Sequence, residues 1–443
     1  MLQTVRNAFK VKDIRNRILY TLLVLFLIRL GCQLPIPGVN REYFSQWFAN
    51  LTGDSFTFFN AFTGGSFENM SIFALNITPY ITSSIIIELL TIAIPYLEEK
   101  QRDGQEGRKV LVAITRYVTI GLALLESSAM AIGFYNQGIM DMTINPWLTG
   151  LMIVTGLTAG SALLMWFGEQ VTENGVGNGI SVVLAINIIS RMPGDLNSLW
   201  DMFIRSNIDN GKILVAVVAA LIIVAVILVT VVLTILLNNA ERRIPVQYAR
   251  KVAGRKMIGG TTTNIPLKVN TAGVIPVIFA SSLMSFPIVI CQLFGIQAGT
   301  SLGGQILRLL NSGNWCDPAQ PFYSIGLLIY VVLVVFFAYF YTSITFNPLE
   351  VSDNLKKQGG FIPGIRPGRP TNDYLTNILN YVIFIGAVGL TIIAVIPIFF
   401  NGVFGADVSF GGTSLIIIVG VILETLKQVE SRMLVRSYKG FLA

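Results

Sequence analysis

The 443-residue chain contains no histidine and only three cysteines, Cys32, Cys291 and Cys316. The lack of histidine excludes Ser-His and Cys-His nucleophile pairs, histidine metal ligands and histidine proton relays. The cysteines form no CxxC pair, and two of them fall in apolar segments, so neither a disulfide framework nor a cysteine metal site is indicated. A GxxxxGK[ST] nucleotide motif is also missing. The sequence therefore predicts no enzyme, no cofactor and no metal site.

Charged residues are scarce too. They make up 12% of the chain, against roughly 25% in a soluble domain, while 53% of the residues are hydrophobic. Such a composition is typical of an all-α polytopic membrane protein. Ten apolar windows of membrane length predict ten transmembrane helices, at residues 18–35, 71–97, 110–134, 147–168, 179–200, 212–237, 271–294, 320–346, 374–400 and 411–430.

The basic residues predict the orientation of these helices. Most of the 31 Lys and Arg residues lie in the two termini and in the loops on the same side of the membrane as the termini. The loops of the opposite side hold only Arg41, Arg191, Arg205, Lys212 and Arg308. Because basic residues are retained on the cytoplasmic side, both termini are expected to be cytoplasmic.

Ten helices divide into two sets of five, which predicts an N-terminal half at 1–200 and a C-terminal half at 201–443. An odd number of crossings in each half would place the second half upside down relative to the first. The fifth window is the weakest, since it is clearly apolar only over 180–189, before Arg191 and Pro193. A short span there predicts a cavity that enters from one side.

The second window combines membrane length with an unusually polar half. That half contains Asn76, Thr78, Pro79, Thr82, Ser83 and Ser84. Polar side chains in hydrocarbon need a protein or water partner, so the window is expected to line an interior path, with Ile77 and Ile81 on one helical face. A packing helix kinked at Pro79 is the alternative.

The segment before it, 56–70, is apolar but interrupted by Gly64 and Gly65. As a helix it would reach only about 22 Å, short of the roughly 30 Å hydrocarbon core. It is interpreted as a half-helix that enters from one side, or as an apolar surface loop.

Two cytoplasmic loops, 238–268 and 347–373, are long for such a bundle. The first alternates apolar residues with turn-forming glycines, which predicts a projecting hairpin, and the second is stiffened by four prolines. Both are basic and suited to a phosphate backbone or an acidic protein face. Alternatively, their charges only fix the membrane topology. The candidate docking residues are Arg250, Lys251, Arg255, Lys256, Lys356, Lys357, Arg366 and Arg369.

Four ionisable residues lie in or near the spans. Arg29 and Arg116 are close to span ends and are expected to snorkel to the interface. Glu88 and Glu126 are interpreted as packing or interfacial residues, with a proton relay as the alternative. A secondary transporter of a small solute is the competing class of function, and it would need polar ligands that converge near the midplane.

Four long segments resemble one known family. They are SIFALNITPYITSSIIIELL at 71–90, WFGEQVTENGVGNGIS at 166–181, PLKVNTAGVIPVIFASS at 266–282 and DNLKKQGGFIPGIRPG at 353–368. In this order and spacing they resemble the SecY family, the channel subunits of the bacterial Sec translocon. The resemblance implies an hourglass pore between two inverted five-helix halves. It also implies an aliphatic pore ring, formed by Ile77, Ile81, Ile180, Leu184, Ile278 and Ile417.

The same resemblance implies further parts. A plug at 56–70 would seal the pore through Phe58, Phe59, Phe62, Gly64, Gly65 and Phe67. A lateral gate would open toward lipid between 71–97 with 110–134 and 271–294 with 320–346, involving Thr78, Thr82, Ser83 and Asn270. The chain departs from the family at Asn76, where Gly is usual, and at Glu88, where Gln is frequent.

The implied function is a protein-conducting channel of the bacterial inner membrane. It would pass unfolded secretory polypeptides and release membrane helices into the bilayer. The implied partners are the SecE and SecG subunits, the SecA motor ATPase, the ribosome, polypeptides that carry signal sequences, and membrane lipid.

Overall fold

Helices dominate the fold, and within the described residues strands occur only in the two long loops. The computed structural model describes residues 9–41, 43–44, 46, 63–140, 145–209, 212–248, 251–253, 256–258, 262–293, 302–316, 318, 320–404 and 412–439.

In the first part of the chain, the described residues include seven helices. They are α1 (Lys12–Gly31), α2 (Thr78–Ala93), α3 (Pro95–Arg102), α4 (Gly104–Asn136), α5 (Pro146–Asn174), α6 (Gly179–Leu199) and α7 (Ser206–Asp209). A π-helical turn, Trp200–Arg205, continues α6 into α7.

In the second part, another seven helices lie within the ranges that the structure describes. They are α8 (Ile213–Asn239), α9 (Ile275–Leu293), α10 (Leu302–Leu310), α11 (Ile325–Thr345), α12 (Pro348–Lys357), α13 (Arg369–Phe404) and α14 (Gly412–Lys439). Short 3₁₀ turns at Ser312–Asn314 and Pro321–Ser324 separate α10 from α11.

Every predicted membrane window contains a helix. Within the described ranges, six helical stretches are long and apolar enough to cross a membrane. The bent pair α2–α3, with an angle of 106°, would make a seventh. The protein is thus a multi-pass α-helical membrane protein, as predicted, while the number of ten crossings stays a prediction.

The fifth window differs from its prediction. A helical stretch runs from residue 179 to residue 208, through Arg191 and Pro193, so the element is not short. Arg191 is accommodated because its guanidinium pairs with the Glu68 carboxylate at 3.0 Å. Only the apolar part of the span is short, because a proline and a paired arginine do not have to end a helix that neighbouring elements support.

The second window begins later than predicted. Residues 72–77 form turns, and α2 begins at Thr78 with Ile77 as its N-cap. Pro79 therefore lies in the first turn of the helix, where a missing N–H breaks no helical hydrogen bond. A kink at Pro79 is thus excluded, although the window does bend by 106° at Pro95, between α2 and α3.

Helix α8 is apolar all round, and most of its surface faces outward. Its buried residues are Ala216, Thr230 and Thr234. The hydroxyl of Thr230 donates to the Val226 carbonyl at 2.8 Å, and that of Thr234 donates to the Thr230 carbonyl at 2.7 Å. An apolar surface of this kind is suited to lipid rather than to water.

Two large apolar cores hold the helices together. One draws on residues 36–157 and includes Phe44, Phe67 and Phe134. The other draws on residues 233–416 and includes Trp315 and Tyr330. Separate cores are compatible with the predicted halves at 1–200 and 201–443, whose exact division stays a prediction.

The two long loops share one small sheet. Its strands are β1 (Glu241–Tyr248), β4 (Thr262–Lys268) and β5 (Gly360–Phe361), while β2 (Lys251–Ala253) and β3 (Lys256–Ile258) pair with each other in a separate two-stranded sheet. Strand β1 lies between β4 and β5 in antiparallel register, with Gln247 opposite both Thr262 and Phe361. The predicted hairpin in the first loop is confirmed. Its pairing with the second loop was not predicted.

A buried apolar core ties these loops together. Ile244 and Val246 of β1 pack with Leu355 of α12, Ile362, and Leu375 of α13. Because β1 alternates buried and exposed residues, its other face carries the exposed Arg243. Both long loops therefore belong to one folded unit.

Candidate functional site

Aliphatic side chains from four helices meet in one cluster. Leu184 and Ile188 of α6 are buried against residues of α14, and half-buried side chains of α2 and α9 pack on them. Four of the six predicted pore-ring residues belong to this cluster, namely Ile81, Leu184, Ile278 and Ile417.

The other two ring candidates belong to an adjoining cluster. Ile77 is fully buried there with residues of α1, α5 and α6, and Ile180 packs against it. Ile81 contacts both clusters. The six residues are therefore brought into one continuous aliphatic region, although they lie up to 340 positions apart in sequence; their role as a ring stays a prediction.

Local structure explains how α2 presents its share of this region. The Ile81 amide donates to the Ile77 carbonyl at 3.1 Å, which places the two side chains one helical turn apart. On α6, Leu184 and Ile188 are spaced in the same way. Residues four positions apart lie on the same face of a helix, so α2 with its N-cap and α6 each contribute two neighbouring side chains to the aliphatic region.

Of the predicted plug at 56–70, the structure describes residues 63–70, and Thr63 is helical. Residues 64–70 are a succession of turns, with positive φ at Gly64, Gly65 and Met70. The plug candidates Phe58, Phe59 and Phe62 lie outside the described residues.

Phe67 is buried rather than exposed to an internal path. It packs edge-on against Phe44, with ring centroids 5.7 Å apart, inside the core formed by residues 36–157. Phe67 therefore anchors the segment to the helix bundle.

Polar contacts attach the rest of the segment to α1 and α6. The Arg29 guanidinium donates to the Gly64 carbonyl at 3.3 Å, and Arg191 pairs with Glu68. If Gly64 were replaced by a residue with a side chain, its Cβ atom would lie 2.8 Å from the Asn187 carbonyl oxygen. Glycine is needed here, both for its positive φ and for this close approach.

Arg29 and Arg116, which are predicted to snorkel to the interface, also make specific contacts. Arg29 contacts the turn at Gly64, and Arg116 of α4 pairs with Glu169 of α5 at 2.8 Å. Both partners are far away in sequence, so position in a span alone does not reveal them. The contacts of Asn187 and Arg191 were also missed, and their only sequence signal is a polar residue in an apolar window.

The lateral-gate candidates are found in different environments. Thr78 and Thr82 are half-buried, and the Thr82 hydroxyl donates to the Thr78 carbonyl at 3.1 Å. Ser83 is buried and hydrogen-bonds Thr119 of α4 at 2.5 Å, so it joins two helices of the same predicted gate side. Asn270 donates to Asn238 at 2.8 Å, at the end of α8.

The two predicted gate sides touch each other. Helix α4 contacts α9, and Ile81 of α2 shares a cluster with Ile278 of α9. The helices assigned to the gate are therefore neighbours in the fold; the gate itself stays a prediction.

The docking candidates of the second loop are accessible. Lys356, Lys357, Arg366 and Arg369 are exposed, and the turn that carries Arg366 is fixed by hydrogen bonds from Thr371 to the Arg366 carbonyl and from Ser352 to the Gly368 carbonyl. In the first loop, Lys251 begins β2 and Lys256 begins β3. Arg250 and Arg255 lie outside the described residues.

These features define a class: a multi-pass membrane protein whose helices, from both ends of the chain, converge on a shared aliphatic region. The sequence model of the SecY family matches residues 71–426. The chain is 41% identical over 449 residues to the protein translocase subunit SecY of Halalkalibacterium halodurans and 42% identical over 454 residues to that of Streptomyces scabiei, with 100% of both chains covered in each case. This chain belongs to the SecY family.

Solved structures agree on the fold. A protein-conducting channel is matched over 94% of this chain and 92% of its own, at 18% identity and a TM-score of 0.65. Sec61 from the canine ribosome-channel complex of the endoplasmic reticulum is matched over the same shares, at 18% identity and a TM-score of 0.63. The family prediction is confirmed, and the comparisons give no support to a small-solute transporter.

Proposed function

We propose that this chain is the pore-forming subunit of a bacterial protein-conducting channel, which passes unfolded secretory polypeptides and releases membrane helices sideways into the bilayer. The observation that carries the proposal is the aliphatic region built from Ile81, Leu184, Ile278 and Ile417. Membership of the SecY family supports it.

An aliphatic constriction suits this function physically. Apolar side chains hold water weakly, so a narrow ring of them dewets and blocks ions. Aliphatic side chains also carry no directional hydrogen bonds, and can fit around a passing polypeptide of any sequence. The six ring residues are proposed to provide this seal, with the segment at 56–70 as a plug.

Sideways release would use the contact between α4 and α9. Because α4 and α9 pack against each other but are far apart in the chain, they can separate toward lipid. Thr78, Thr82, Ser83 and Asn270 are proposed to tune this gate. An apolar signal helix would then partition into the bilayer, where its backbone hydrogen bonds are satisfied internally.

The folded unit formed by the two long cytoplasmic loops is proposed to bind the partners. Its exposed basic residues, Arg366 foremost, are proposed to dock the SecA motor and the ribosome, and the ribosome-bound state of the similar Sec61 channel supports the latter. SecE and SecG are proposed to complete the complex. The similarity to bacterial SecY subunits supports a bacterial inner-membrane location. The excess of basic residues in the long loops supports cytoplasmic termini.

Photocrosslinking tests this function directly. A photoreactive amino acid is placed at Ile81, or at Val217 on the outward face of α8, which is 54% exposed. A secretory precursor is then arrested midway through the membrane. Crosslinks from Ile81 but not from Val217 are expected. Arrested precursor without crosslinks at Ile81 would contradict the proposed path.

A further inference from the structure

Two asparagines form a buried hydrogen bond beside the aliphatic region. The Asn187 side-chain amide of α6 donates to the Asn76 side-chain oxygen at 3.0 Å. Each residue is only 1% exposed. Their chain neighbours, Ile77 and Ile188, are members of the two aliphatic clusters. A polar bond thus lies at the point where the segment before α2 meets α6.

The backbone at Asn76 is unusual. Its φ is +52°, in the left-handed region that few residues other than glycine and asparagine adopt without strain. Glycine would satisfy this backbone equally well, but it has no side-chain amide. The polar side chain therefore adds something that the turn itself does not require.

Asn187 contacts both ends of the segment at 63–77. Its side chain bonds Asn76, while its carbonyl oxygen lies against Gly64. One helical turn further, Arg191 pairs with Glu68, and from α1 Arg29 bonds the Gly64 carbonyl. The same stretch of α6 therefore contacts the segment at three positions, Gly64, Glu68 and Asn76.

The side-chain oxygen of Asn187 shows why separating Asn76 from Asn187 would be unfavourable. This oxygen is buried and accepts no hydrogen bond from the residues that the structure describes. Among the described residues, the Asn187 side chain therefore makes its hydrogen bond to Asn76. Pulling α2 away from α6 would remove this bond and leave the buried Asn187 amide without the partner that the structure shows.

We propose that Asn76 and Asn187 form a latch that positions the segment at 63–77 and the start of α2 against α6 in the closed channel. Opening breaks this bond, so the latch sets how readily the resting channel opens. The inference rests on the proposed channel function. It assigns to two residues outside the aliphatic ring a share in keeping that ring closed.

The test measures ion flux through resting channels in proteoliposomes. Asn76→Gly keeps the backbone conformation and removes the acceptor, and Asn187→Ala removes the donor within a helix. Each variant is expected to raise the resting flux about fivefold, which corresponds to about 1 kcal/mol, the usual net contribution of one hydrogen bond. The double variant is expected to give the same factor, because both substitutions break the same bond.

Asn174→Ala is the matched control. Asn174 makes an amide–amide hydrogen bond of 3.0 Å to Gln170, but on the exposed surface of one helix. Its flux is expected to stay at the level of the unmodified channel. Asn187→Ser serves if Asn187→Ala does not fold, since a serine hydroxyl can bond its own helix but is too short to reach Asn76.

The outcomes separate the latch from the proposed function. Unchanged flux in the single variants, or a double variant whose factor is the product of the two single ones, would overturn the latch. Precursor transport by the unmodified channel is measured in the same vesicles. Its absence would instead contradict the channel function, whatever the flux of the variants.

Discussion

Replacing Leu184 by alanine tests whether the aliphatic region holds the channel closed. Leu184 is 6% exposed and packs against residues of α14. Truncating a buried leucine to alanine costs about 2–5 kcal/mol, because the packing contacts are lost and a cavity remains. If the contacts exist only in the closed state, a loss of about 2 kcal/mol multiplies the ratio of open to closed channels by about 30.

The measurement combines resting chloride flux in proteoliposomes with thermal unfolding in detergent. Leu184→Ala is expected to raise the flux and to lower the unfolding midpoint. Leu214→Ala is the control, since Leu214 lies on α8 and is 79% exposed. The same truncation there removes no internal contact, so both readings are expected to stay near those of the unmodified protein.

The reasoning would be refuted by a particular combination of results. If Leu184→Ala lowers the unfolding midpoint but leaves the flux unchanged, the cluster stabilises the bundle without sealing it. If Leu214→Ala raises the flux as much as Leu184→Ala does, the increase does not result from the loss of contacts in the aliphatic cluster.

Three further predictions address other parts of the molecule. Deleting 58–67 is expected to leave a folded channel with raised resting chloride flux, and flux at the unmodified level would count against the plug. Arg366→Glu is expected to impair motor-driven precursor transport in vesicles, with Arg205→Glu, on the predicted opposite side, as control; equal transport by both variants would remove the docking role. Gly179→Ala is expected to lower stability by about 1–3 kcal/mol in thermal unfolding, because its methyl group would collide with the Gly168 carbonyl; an unchanged midpoint would mean that α5 and α6 can move apart at no cost.

Much of this protein could be predicted from the sequence because a membrane restricts the possible structures. Backbone groups in hydrocarbon must be satisfied internally, so each long apolar window has to be helical. That is why all ten windows contain helices. The hairpin at 241–268 was predictable for a local reason, since its alternation and glycines specify paired strands.

A residue's partner could not be predicted where it is far away in the chain. Arg116 pairs with Glu169, which is placed beside it by the packing of α4 on α5, and no local pattern signals this pair. Pro79 looked like a kink because the start of α2 could not be located from hydropathy. A turn with positive φ at Asn76 delays that start to Thr78.

The sequence by itself determined the class of protein, the positions of the helices and the family. A chain rich in apolar residues and poor in charged ones is stable in a membrane rather than in water, so composition determines the class. The four family segments are contiguous in sequence and can therefore be compared directly with known families. Only the tertiary structure brought Ile81, Leu184, Ile278 and Ile417 together and paired Asn76 with Asn187. Such contacts depend on how helices cross, and no local pattern encodes a crossing.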